Sequence, residues 1–168
     1  AGVLGVTACA MARSAGADVV AACDPVVECR ERSLLFGATH ALTDAEEIVD
    51  LTSGRGADLV LELAGSAGTV RGAISSARIG GTVILAGTVA PVGAVDFDPE
   101  RVVRRMLTVR GVHNYHPRDL RTALDFLAGA GRSYPWESLT AAEYPLEQAE
   151  QAFAAGNRRP GVRVAVVA

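Results

Sequence analysis

The sequence predicts a doubly wound α/β fold, a parallel sheet with helices on both faces and three layers in all. Three observations carry this. The strand-like runs DVVAACD, ADLVLELAG and TVILAGT are continuously apolar rather than alternating, and such strands are covered on both faces. Helical and strand segments alternate, helix then strand, five times along the chain, the pattern of parallel strands joined by crossover helices. The chain has 168 residues, 49% of them hydrophobic, ample for one packed core and short for two full domains.

The elements follow from local chemistry. Val6 to Ala15 is Ala-rich and free of Pro, and Gly16 closes it as a helix stop. DVVAACD is a buried strand ending in an acid. VVECRERSLLFGA reads as a charged amphipathic helix ending at Gly37, and THALT as a short strand. DAEEIVDLTSGRG is a helix with acids in its first turn, followed by a Gly-rich turn. ADLVLELAG is a strand. SAGTVRGAISSARIGG is a helix capped by Ser66 and expected to end at Gly80 and Gly81; TVILAGT is the next strand. Asp98 caps a further helix that has Pro99 at its first position. LTVRGVH is a strand, and PRDLRTALDFLAGAG a helix with Leu120, Leu124 and Leu127 on one face. The tail, YPLEQAEQAFAAGNRRPGVRVAVVA, reads as one helix, a turn and a last strand.

Composition excludes several classes. A net charge of −3 gives no polyanion-binding surface, so nucleic acid is not an expected partner. No apolar run approaches a membrane span, and no basic-then-apolar leader is recognisable. Cys9, Cys23 and Cys29 form no framework or CxxC pair. They are expected as small buried side chains in a reducing, cytoplasmic setting.

The chain opens AGVLGVTACAMARSAGADVVAACDP. A dinucleotide fingerprint reads GxGxxG between a strand and a helix. Gly2 and Gly5 match its second and third glycines: one lets the backbone approach a diphosphate, the other lets helix and sheet pack closely. The helix N-terminus supplies N–H groups and partial positive charge. Asp24 ends the next strand, where the fingerprint places an acid on the ribose hydroxyls. Order and spacing agree with a Rossmann domain that begins inside the first strand–helix turn. The first strand, central in this fold and flanked by the second and fourth, is expected upstream of Ala1. The alternative is that both glycines are plain loop residues and Asp24 a helix cap.

With these motifs in place, the chain resembles the cofactor-binding domain of the medium-chain, zinc-dependent alcohol dehydrogenase family. AGVLGVTACAMARSAGA is similar to its glycine motif and first helix, FGATHAL to its third strand, and GADLVLELAG to its fourth. ARIGGTVILAGT is similar to the fifth strand, LTVRGV to the sixth, and YPLEQAEQAFAAGNRRPGVRVAVV to the closing helix and strand. GVLGVTACAMAR and GVHNYHPRDL are similar to a subgroup associated with phosphonate catabolism. The resemblance implies an NAD-dependent oxidoreductase in which residues 1–168 bind the cofactor and residues 144–168 pack towards an N-terminal catalytic domain. The catalytic and structural zinc ligands would lie in that domain. The implied cofactor set is Gly2, Val3, Leu4, Gly5, Asp24, Ala64, Gly65, Gly87 and Thr88, with no catalytic or metal residue in the chain, which alone is expected to be inactive. The family commonly carries an Arg in the helix after the ribose acid, whereas here Pro25 follows Asp24 and Cys29 stands near that place. In the family the sixth strand commonly joins two subunits, which implies a homodimer through Leu107 to His113.

Other candidates read less specifically. His113 and His116 could bind metal, or be two loop histidines. Arg158 and Arg159 could reach a diphosphate, or lie solvated. Glu62 could line a cofactor cleft, or be a satisfied acid at the core edge. Arg30 and Arg32 are expected to point outward, leaving Asp24 to select NAD over NADP. Ser66, Thr88 and Tyr115 form no readable nucleophile–base set. Two other functions fit the same elements: a cofactor-sensing module without catalysis, and an S-adenosylmethionine-dependent methyltransferase, which also places an acid after its second strand.

Overall fold

The computed structural model describes all 168 residues. In chain order the elements are α1 (Val3–Ser14), β1 (Ala21–Cys23), α2 (Val27–Leu35), β2 (His40–Leu42), α3 (Glu47–Leu51), β3 (Ala57–Glu62), α4 (Ala67–Ser76), β4 (Ala77–Leu85), α5 (Pro99–Arg104), β5 (Thr108–Gly111), α6 (Pro117–Ala128), β6 (Thr140–Pro145), α7 (Ala149–Asn157) and β7 (Arg163–Val167). Every strand pairing is parallel, as continuous apolar strands require. The predicted second to sixth strands are β1 to β5. No helix is long and apolar enough to cross a membrane. The chain divides into two compact units, residues 1–43 with 118–168, and residues 44–117.

In the first unit β1 pairs with β2, Ala21 opposite His40 and Cys23 opposite Leu42. Thr39 prolongs this ladder: its hydroxyl accepts from the Val20 N–H at 2.9 Å and donates to the Val20 carbonyl at 3.0 Å. Val6, Cys9 and Ala10 form the buried face of α1, the i, i+3, i+4 spacing of one helical stripe. Phe36, fully buried, lies stacked on Tyr134 at 5.9 Å and edge-on to Trp136 at 5.1 Å. These ring contacts close the unit across its two chain segments. Cys9 and Cys29 are buried, whereas Cys23 is exposed, because only the middle residue of β1, Ala22, turns inward. The tail also holds a strand the sequence reading missed: β6, TAAEYP, pairs with β7. Leu120, Leu124 and Leu127 share a face of α6 but remain 48%, 57% and 44% exposed. Periodicity identifies a face and not what covers it.

In the second unit the strand order is β3-β4-β5, over a core of Ala73, Ala77 and Val83. Ser66 caps α4 as expected, and Thr69 completes a capping box. The helix ends at Ser76 rather than at Gly80. Arg105 is the reason: its guanidinium donates to the carbonyls of Ser75, at 3.0 Å, and Ala77, satisfying groups a longer helix would have used. ARIGG thus joins β4, with a register shift opposite Ala57–Leu59. Asp98 caps α5, its carboxylate accepting from the Glu100 N–H at 3.0 Å, with Pro99 first in the helix.

Candidate functional site

The predicted site residues fall into two groups, one in each unit. In the first unit Gly2 is the N-cap residue of α1, and no side chain caps that helix. Gly2 is exposed. A Cβ on it would meet nothing nearer than the Gly161 Cα, at 3.9 Å, so the chain's own packing does not demand a glycine there. At Gly5 a Cβ would stand 3.2 Å from the Ala1 methyl. Val3 packs beside the Val6–Phe36–Leu139 cluster, and Leu4 is 60% exposed.

Asp24 stands just past β1. Its Oδ1 accepts from the Val26 N–H at 2.9 Å, a local turn that aims the carboxylate, and its Oδ2 pairs with the Ala1 amino group. Burial pushes that amino group below its ordinary pKa. The two nearby arginines are not turned outward. Arg30 is half-buried and donates to the carbonyls of Asp24, at 2.8 Å, and Pro25, at 3.0 Å. Arg32 reaches within 4.0 Å of the Cys29 sulfur. A Cβ on Gly161, whose φ is +76°, would collide with both, 2.6 Å from Arg32 Nη1 and 2.7 Å from Cys29 Sγ. The Gly161 turn, which sequence reading passed over, therefore nests on α2 beside the opening glycines.

In the second unit Glu62 ends β3 and is 3% exposed. Its Oε1 accepts from the Ala64 N–H at 2.9 Å, the Gly65 N–H at 2.7 Å and the Thr69 hydroxyl at 2.8 Å. Its Oε2 accepts from the Thr88 hydroxyl at 3.3 Å. Ala64, Gly65, Thr69 and Thr88 thus converge on one carboxylate, and a buried charge with several donors is well satisfied. Of the two meanings the sequence left open for Glu62, its full set of donors favours the satisfied acid. Arg159 donates to the Ala141 carbonyl at 2.9 Å. His113 and His116 join no metal-binding group, since no three His, Cys, Asp or Glu side chains gather anywhere in the chain.

Residues 3–129 match the family model described as zinc-binding dehydrogenase. The chain belongs to this family. Among curated relatives of this family member, D-xylulose reductase A of Aspergillus oryzae is 32% identical over 162 residues, 91% of this chain and 44% of that protein. L-threonine 3-dehydrogenase of Streptomyces coelicolor is 32% identical over 136 residues, 78% of this chain and 39% of that protein. Among solved structures, an alcohol dehydrogenase of Thermotoga maritima superposes with a TM-score of 0.89 at 26% identity, over 99% of this chain and 47% of that one. A structure from Sinorhizobium meliloti 1021, described as a zinc-binding dehydrogenase bound to NADP, has a TM-score of 0.85 at 26% identity, over 99% of this chain and 50% of that one. The family member spans half or less of the length of these relatives. Their shared fold is the doubly wound one expected from the strand pattern.

Proposed function

We propose that the chain is the NAD-binding part of a zinc-type alcohol dehydrogenase, holding the nicotinamide for hydride transfer to or from an alcohol or carbonyl substrate. The observation that carries this is Asp24 at the end of β1, following a helix whose uncapped N-terminus begins at an exposed glycine. A diphosphate fits such a terminus, where N–H groups lack partners and the helix dipole is positive. The carboxylate fits ribose hydroxyls. Gly2, Val3, Leu4, Gly5 and Asp24 are assigned to the adenosine and diphosphate, and Ala64, Gly65, Gly87 and Thr88 to the nicotinamide end. When bound, the nicotinamide supplies the hydride chemistry; this chain's residues bind and orient it. Zinc is a different case. The His, Cys, Asp and Glu side chains here do not gather into a ligand set, so no step is assigned to zinc on these residues.

Calorimetric titration of the chain with NAD, NADP and S-adenosylmethionine tests the reading. NAD is expected to bind most tightly. Tighter binding of S-adenosylmethionine would favour a methyltransferase, and no binding of any of the three would end the proposal. A dimer through β5 is proposed with it. All four of the strand's residues are exposed, and an open strand edge is a template for pairing.

A further inference from the structure

Glu62 is a buried carboxylate that takes no part in the proposed binding, yet its side chain accepts four hydrogen bonds. Its side chain receives Ala64, Gly65, Thr69 and Thr88. Its main-chain carbonyl receives the Ala86 N–H at 3.0 Å and the Gly87 N–H at 2.9 Å. Six donors on one residue therefore define two loops, the turn from β3 into α4 and the exit from β4. The two loops touch as backbone: a Cβ on Gly87 would stand 2.4 Å from the Leu63 carbonyl carbon. Glycines allow that contact, but they cannot hold it in place, having no side chains to bond. The carboxylate supplies the hold, charge-assisted and out of water.

We infer that Glu62 is a positioning residue for the nicotinamide end of the dinucleotide. It does not touch the cofactor; it sets the spacing of Ala64 and Gly65 against Gly87 and Thr88. The inference rests on the dinucleotide reading above. Thr69 belongs to the same device. Its hydroxyl links Glu62 to the capping box of α4, accepting from the Ser66 N–H at 3.1 Å, so the start of the helix and the two loops move together.

The test compares Glu62→Gln with the parent chain in binding NADH and, separately, AMP, which carries only the adenosine half. Gln keeps the size and one acceptor oxygen but loses the charge and puts an NH2 where an acceptor stood. NADH affinity is expected to fall about tenfold while AMP affinity stays unchanged. A merely structural role would weaken both ligands together or neither, and either result overturns the inference alone. A parent that binds neither NADH nor AMP overturns the dinucleotide reading and this inference with it, so the two failures are distinguishable. Should Glu62→Gln not fold, Thr69→Val removes a single donor from the carboxylate and leaves the charge. It is expected to weaken NADH severalfold with AMP again unchanged, and equal effects on the two ligands would overturn the inference.

Discussion

Gly65 and Gly87 lie backbone against backbone: a Cβ on Gly65 would stand 2.3 Å from the Gly87 carbonyl oxygen, and Gly65 has a φ of +73°. Both facts exclude a side chain, one by space and one by conformation. Gly65→Ala is therefore expected to destabilise the chain by about 3 kcal/mol. Gly16 separates the two causes. Its φ is +89°, but nothing lies within 4 Å of its Cβ position, so Gly16→Ala is expected to cost about 1 kcal/mol. Urea unfolding of both variants measures the difference. Equal losses would mean that the loops part readily.

Asp24→Ser tests cofactor choice. Charge-assisted bonds from two ribose hydroxyls to a carboxylate are worth about 1.5–3 kcal/mol, roughly ten- to a hundredfold in affinity, and the same charge repels a 2′-phosphate. The parent is expected to prefer NAD over NADP, and the variant to lose most of that preference. Arg30 is held on the Asp24 and Pro25 carbonyls, which occupies the cation best placed to oppose this. Paired isotherms on the parent and Asp24→Ser check this, and equal parent affinity for NAD and NADP would refute the role of Asp24.

Val109→Pro probes the open edge of β5. The Val112 N–H donates to Leu85 of β4 at 2.9 Å. Strand alternation then turns the N–H groups of Arg110 and Thr108 towards β4 and that of Val109 away. Proline at 109 removes a donor from the free edge and leaves the β4 ladder whole. Light scattering is expected to show a dimeric parent and a monomeric variant with an unchanged circular dichroism spectrum. A variant that stays dimeric would move the interface elsewhere.

Asp58 gives a pH dependence. Its carboxylate takes a bidentate pair from Arg55, at 2.9 and 2.6 Å, and a third bond from Arg78 Nε at 2.6 Å. Hydrogen bonds from Arg55 first, and Arg78 second, hold it well below the usual carboxylate range. With the folded value depressed, the stabilisation is present above the unfolded value of about 3.9 and is lost as pH falls through the folded one. The stability gap between parent and Asp58→Asn is thus expected to narrow progressively as pH falls below about 4. It is also expected to shrink in concentrated salt, because the group is exposed. Denaturation midpoints across pH 2–7 read it out, and a gap of constant size across that range would assign the effect to shape rather than charge.

Where neighbouring residues carry the information, the sequence was enough. Ser66 before Ala67, Asp98 before Pro99 and Asp24 after a three-residue strand each act within a turn of their own position. All three stand where local chemistry puts them. The continuous apolar strands implied parallel pairing, and every pairing is parallel. Several features were beyond local reach. The polar segment TAAEYP becomes β6 only because β7 lies beside it. The end of α4 is set by Arg105, 30 residues beyond the Ser75 carbonyl it caps. Arg30 and Arg32 read as solvent-facing until the Asp24 carbonyl and the Gly161 turn give them neighbours. Gly65 and Gly87 were legible as glycines with a purpose, but their mutual contact and the Glu62 carboxylate binding both loops were not. Caps, turns and strand character are decided by bonds between residues close in sequence. Which acid holds which loop is decided by bonds across 26 residues, from Thr88 back to Glu62, and such bonds form only once the chain has folded.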